Sequence, residues 1–208
     1  MERHQTLVEP RMAPATREPI WTIPNILSLG RLVSTGFILW AIDTARWDTA
    51  LAIFMLAAIS DWCDGYIARR FNQATVLGRQ LDPLVDKITV IAVLIHLAAL
   101  AGSGVKPWMV SVILTRELLI QALRSHLESA SVGFGAKMAG KLKMAVQCFA
   151  IIVILWVFRS GGPDQNSSIT MLRDVLIWAS LALTIYSGGA YLARAKSIFK
   201  NIDKGASA

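Results

Sequence analysis

Polar and apolar positions along this chain fall into long blocks. Residues 1–20 are polar and broken by Pro10, Pro14 and Pro19, which predicts an arm outside the folded body. Six apolar runs follow, at 25–42, 49–71, 78–101, 107–126, 139–157 and 170–193. Each is close to the ~20 residues that an α-helix needs to cross a bilayer. Short polar stretches separate them: 43–48, Gly102-Ser103-Gly104, a mixed segment at 127–138 with Gly133 and Gly135, and the loop 161–168. Pro83 and Pro107 stand near run starts, where a missing N–H costs nothing. The pattern predicts an all-α integral membrane protein: a six-helix transmembrane domain over 21–200, the polar arm 1–20, and a C-terminal tail 201–208.

Composition strengthens this reading. The 208 residues are 54% hydrophobic and 17% charged, against roughly 25% charged in soluble domains. The net charge of +7 would suit a nucleic-acid binder, but the hydropathy turns it toward a membrane protein, and no nucleic acid is expected as a partner. Lys and Arg gather in the arm, in the second-to-third and fourth-to-fifth connections, and in the tail. The loops on the other side carry Arg46, Lys106, Arg159 and Arg173. That asymmetry predicts cytoplasmic termini. Residues 1–20 lack an apolar core and contain Glu2, Glu9 and Glu18, so they do not read as a secretory signal. Cys63 and Cys148 lie in apolar runs without metal-site or redox spacing and read as small buried hydrophobes. The tryptophans mostly sit near run ends, as an interfacial belt requires.

Two runs carry charge where a bilayer penalises it. Asp61, Asp64, Gly65, Ala68 and Arg69 are spaced i, i+3, i+4, i+7, i+8, one stripe along a helix. Gly78, Asp82 and Asp86 form a second stripe at steps of four. An Asp at the centre of a membrane helix costs roughly 2.5–3.5 kcal/mol. Four carboxylates converging at the cytoplasmic end of a helix pair therefore call for cations. An all-oxygen donor set, with no His or Cys in the stripe, selects hard ions: Mg²⁺ or Mn²⁺, or else Ca²⁺. Four carboxylates suffice for two such ions, the arrangement used in phosphoryl displacement. Gly65 and Ala68 leave a small-residue gap for a ligand, or equally for a neighbouring helix. Arg69 is placed to meet a phosphate.

The string Asp61-x2-Asp64-Gly65-x2-Ala68-Arg69-x8-Gly78-x3-Asp82-x3-Asp86 resembles the signature of the CDP-alcohol phosphatidyltransferase family without a gap or substitution. The resemblance implies two divalent cations, Mg²⁺ or Mn²⁺, held by Asp61, Asp64, Asp82 and Asp86, with Asp86 also the catalytic base. It implies that Gly65, Ala68, Arg69, Thr75 and Gly78 bind CDP-diacylglycerol. The segment from Pro24 to Arg31 is similar to the family's first-helix segment, which adds Asn25 and Ser28 to the donor site. Ser28 stands where Thr is more usual and keeps the hydroxyl. The family also implies a homodimer in the inner (plasma) membrane, multi-pass, with its active site facing the cytoplasm.

The carboxylates do not choose the acceptor alcohol. Downstream, Arg116 and Arg124 lie eight residues apart on one helix face, and Lys141 and Lys143 open the fifth run. Cations at a helix start suit a phosphate, so these four residues are the expected acceptor-phosphate site and glycerol 3-phosphate the simplest acceptor. The alternative for Lys137, Lys141 and Lys143 is anchoring under anionic lipids. This stretch resembles the branch of the family that makes phosphatidylglycerophosphate, with Met144 in place of that branch's Thr. Glu117 reads as the partner of a neighbouring Arg. His96 reads as a packed or lipid-facing residue, and Gly188-Gly189 as a site of close helix contact. The competing readings are the same chemistry on phosphatidylglycerol, inositol phosphate, serine or an amino alcohol, a cation transporter with intramembrane carboxylates, and an inactive structural relative.

Overall fold

The structure, a computed structural model, describes residues 23–71, 76–129, 138–165 and 167–206. Within these it describes the side chains of 29–60, 85, 87–123, 140, 142–165 and 167–197. The described residues form six α-helices and no strand: α1 (Ile23–Asp43), α2 (Trp47–Phe71), α3 (Val76–Ala99), α4 (Pro107–Ser129), α5 (Met138–Arg159) and α6 (Ser167–Ala206). The most extensive pairings are α5 with α6 and α1 with both α3 and α2; α4 packs on α3 and α6, and α5 also meets α2.

The helix boundaries follow the apolar runs closely, with one informative difference. The sixth run loses its apolar character near residue 193, yet α6 continues to Ala206 and is 40 residues long, about 60 Å at 1.5 Å per residue. Lys and Arg are good helix formers, so the basic stretch ends the hydropathy signal without ending the helix.

The larger of two buried apolar clusters among the described residues runs through the bundle. Ile38, Ile42, Val93, Leu97, Ile151, Ile154 and Leu155 bury almost all of their side-chain surface, joined by Phe54, Met109, Ile113 and Leu181. The exterior is also apolar. Phe37, Leu56, Ile59, Leu118, Phe149, Met171, Ile185 and Tyr186 are among many large side chains left exposed. A soluble monomer rarely shows contiguous apolar surface on this scale, whereas hydrocarbon solvates it without cost. Among the described residues, two segments are long and apolar enough to cross a membrane, Leu142–Arg159 and Ser167–Ser197; Trp47–Ser60 and Lys87–Ala99 are apolar but shorter.

The end holding the α1–α2, α3–α4 and α5–α6 connections is tied by polar contacts. Arg159 pairs with Asp48, and Arg173 donates to the Gly102 carbonyl and to Asp174. His96 takes part in a contact with the Ala92 carbonyl and lies 3.7 Å from the Asp43 carboxylate, so it serves a helix end rather than lipid. Gly104 is in the left-handed region at φ +78°, and a Cβ there would come within 2.9 Å of an Asp174 oxygen. Glycine alone satisfies both conditions.

Candidate active site

At the opposite end, α2 leads into α3 through residues 72–75, which lie outside the described residues. The two carboxylate stripes fall on the helix halves that flank this connection. Asp61 is ten residues from the end of α2 and Asp86 ten residues from the start of α3, about 15 Å of helix in each case. Asp64 and Asp82 are seven and six residues in, about 10 Å. Measured from the shared end, the acids therefore come at two matched depths. Gly65, Ala68 and Arg69 continue the α2 stripe toward that end, and Gly78 begins the α3 stripe. The side chains of all these residues lie outside the described set, as do those of Asn25 and Ser28 in the first two turns of α1. Thr75 lies outside it altogether. The donor set is all oxygen and confined to one end of the bundle, which fits hard divalent cations.

Next to this region the structure assembles a buried ionic cluster from four helices. Its hub is Glu117 of α4, whose side chain is 7% exposed. Arg116 Nη1 donates to a Glu117 oxygen at 2.9 Å, Lys143 of α5 donates to the same oxygen, and Lys87 Nζ of α3 lies 4.0 Å from the other. Lys87 also donates to Gln121 Oε1. Because Lys87 follows Asp86 directly in the chain, the cluster adjoins the deeper level of acids. Helix α6 completes it: Arg116 Nη2 donates to Ser187 Oγ at 2.9 Å, and the guanidinium lies 5.6 Å from the centre of the Tyr191 ring. One helical turn away, Gln147 donates to Thr184 Oγ1 at 3.3 Å. On the other flank of α3, the buried hydroxyls of Thr35 and Thr89 lie 2.7 Å apart and join α1 to α3.

A lone buried carboxylate would be costly, and so would two or three unneutralised cations. Together they offset one another, and charge-assisted hydrogen bonds add to the gain. Among the described residues three cations gather on the one carboxylate. Of the four predicted acceptor residues, the structure brings Arg116 and Lys143 together on Glu117. Arg124, near the end of α4, and Lys141, in the first turn of α5, have side chains outside the described set. Sequence reasoning treated Glu117 as a local partner of an Arg and passed over Lys87, Gln121, Ser187 and Tyr191. The signal available for Lys87 was a lysine beside a carboxylate in an apolar run. For the α6 residues the only signal was the neighbouring Gly188-Gly189, which marks a close helix contact but not its partner.

Comparison with known proteins agrees with the signature. Residues 21–186 match the family model described as CDP-alcohol phosphatidyltransferase. A protein of Rickettsia bellii named CDP-diacylglycerol–glycerol-3-phosphate 3-phosphatidyltransferase is 32% identical over 182 residues, covering 85% of this chain and 97% of its own. A protein of Haemophilus influenzae with the same name is 31% identical over 191 residues, covering 88% and 98%. A Mycobacterium tuberculosis protein named probable phosphatidylglycerophosphate synthase is 37% identical over 188 residues, covering 87% and 85%. On the carboxylate signature, the all-helical fold and a match over most of its length, this chain belongs to the CDP-alcohol phosphatidyltransferase family and is a phosphatidyltransferase.

Proposed function

We propose that the enzyme transfers the phosphatidyl group of CDP-diacylglycerol to sn-glycerol 3-phosphate, giving phosphatidylglycerophosphate and CMP. The observation that carries the acceptor choice is the buried cation cluster beside the acid-bearing half of α3; relatives bearing that activity in their names support it. Asp61, Asp64, Asp82 and Asp86 are the residues that would hold two divalent cations, Mg²⁺ or Mn²⁺. When bound, these supply neutralising charge to the diphosphate and to the departing CMP oxygen. Arg69 meets the diphosphate, and Gly65 and Ala68 admit the nucleotide past their small side chains. Asn25, Ser28, Thr75 and Gly78 complete the donor site. Arg116, Arg124, Lys141 and Lys143 receive the acceptor's phosphate and so aim its free hydroxyl.

As that hydroxyl oxygen bonds to the lipid-side phosphorus, the bond from this phosphorus to the CMP oxygen breaks, and Asp86 takes the hydroxyl proton. A carboxylate among cations is a weak base, so most of the acceleration comes from positioning and charge stabilisation. The site opens to the cytoplasm at the α2–α3 end of a six-span homodimeric protein of the inner (plasma) membrane. The apolar exterior and the basic segments at that end support this orientation.

The test is CMP release by purified protein in detergent with CDP-diacylglycerol, Mg²⁺ or Mn²⁺, and one acceptor per reaction. CMP that depends on glycerol 3-phosphate supports the reading. Release with another alcohol overturns the acceptor, and ion flux in liposomes without nucleotide would favour a transporter. Asp86→Asn should abolish turnover while CDP-diacylglycerol still binds. Loss of binding and folding together would make Asp86 a structural residue instead.

A further inference from the structure

Arg116 is held more tightly than an anchor requires. Glu117 takes one end of its guanidinium, Ser187 the other, and the Tyr191 ring lies beside it. Its Nε–H is buried and has no hydrogen-bond partner among the described residues. An unsatisfied buried donor costs free energy, and on a guanidinium fixed by three neighbours it is a donor prepared for an incoming oxyanion. Glu117 does a second thing. By accepting from both Arg116 and Lys143 it cancels the repulsion that would otherwise drive these two cations apart. The room for the arginine comes from α6: a Cβ on Gly188 would stand 3.1 Å from Arg116 Cγ and 3.7 Å from its Nε, whereas one on Gly189 would meet nothing within 4 Å.

We propose that Glu117 and Gly188 are positioning residues for the acceptor. Glu117 holds Arg116 and Lys143 as a pair for a phosphate, and Gly188 leaves the space in which Arg116 takes that pose. The inference rests on the reading of Arg116 and Lys143 as acceptor residues. Of the two glycines, Gly188 therefore serves the arginine, while Gly189 is indifferent to it.

The experiment compares Gly188→Ala, Gly189→Ala, Glu117→Gln and Glu117→Asp with wild type, as full-length protein in detergent. CMP release is followed with each substrate varied in turn. Gly188→Ala and Glu117→Gln should lower kcat/KM for glycerol 3-phosphate about tenfold or more while KM for CDP-diacylglycerol stays within about twofold, as expected when a charged hydrogen-bond donor is displaced from one substrate only. Glu117→Asp should recover part of the loss, and Gly189→Ala should behave as wild type. Equal behaviour of the two glycine variants, or a donor KM that rises in step with the acceptor effect, would overturn the proposal. Should Glu117→Gln not fold, the glycine pair decides alone. The wild-type acceptor profile tests the parent reading separately. Use of another phosphorylated alcohol removes that reading and moves the variant comparison to that acceptor, while use of an uncharged alcohol, or no release at all, overturns both.

Discussion

Helix α5 reaches a carboxylate near each of its ends, and the two pairs differ in kind. Lys143 meets Glu117 with side chains 5% and 7% exposed; Arg159 meets Asp48 with side chains 42% and 78% exposed. The exposed pair works in a high-dielectric, salt-screened setting, so it can clip α5 to α2 but contributes little. The buried pair is neither optional nor local. Without Glu117 its cations would be buried and uncompensated, since the shared carboxylate also holds Arg116 and faces Lys87. One is a fastener at a loop end; the other organises three helices and, through Arg116, a fourth.

The largest effect that would separate the two is on stability. Glu117→Leu should lower it by about 3–5 kcal/mol, because it leaves cations buried against one another; thermal unfolding in detergent reads this. Lys143→Met should cost less, since Glu117 keeps Arg116. A Glu117→Leu protein as stable as wild type would erase the distinction between the pairs. The buried hydroxyl contact between α1 and α3 sharpens the same point with neutral groups. Thr35→Val should cost about 1 kcal/mol, and the Thr35→Val/Thr89→Val double variant hardly more, because removing both partners leaves nothing unsatisfied. Simple additivity of the two losses would argue that each hydroxyl donates to its own helix carbonyl, the alternative acceptor within reach of each. The smallest effect is expected at the exposed pair. Arg159→Ala should change stability by roughly 0–1 kcal/mol, shrinking further in high salt, with CMP release unaltered.

Much of the fold was legible because a bilayer demands it. Apolar runs near the spanning length, Pro107 at a helix start and the glycines of 102–104 and 161–162 mark where chain direction changes, and the observed helices begin and end within a few residues of them. The exception, α6, shows what such a reading measures. Hydropathy reports where the chain leaves apolar surroundings, while helix continuation depends on backbone propensity, which lysine and arginine satisfy.

The acid stripes were readable for a related reason. Asp61, Asp64, Asp82 and Asp86 lie on two sequential helices joined by a short connection, so a single period, 3.6 residues, determines which of them share a face and which share a depth. The family was identified by the resemblance of their string to its signature, not by the period. The cluster around Glu117 obeys no such rule. Its members stand at positions 87, 116, 117, 143 and 187, on four helices, and no short-range period relates them. Which face of α4 turns to α5, and which turn of α6 lies opposite Arg116, are decided by how side chains of different helices interlock. The sequence by itself therefore determined six helices, a carboxylate signature and a basic stretch downstream. Only the tertiary structure decided that Lys143 and Arg116 share one buried carboxylate, and that Gly188 rather than Gly189 makes room for the arginine, because such choices are made by packing between helices and not within them.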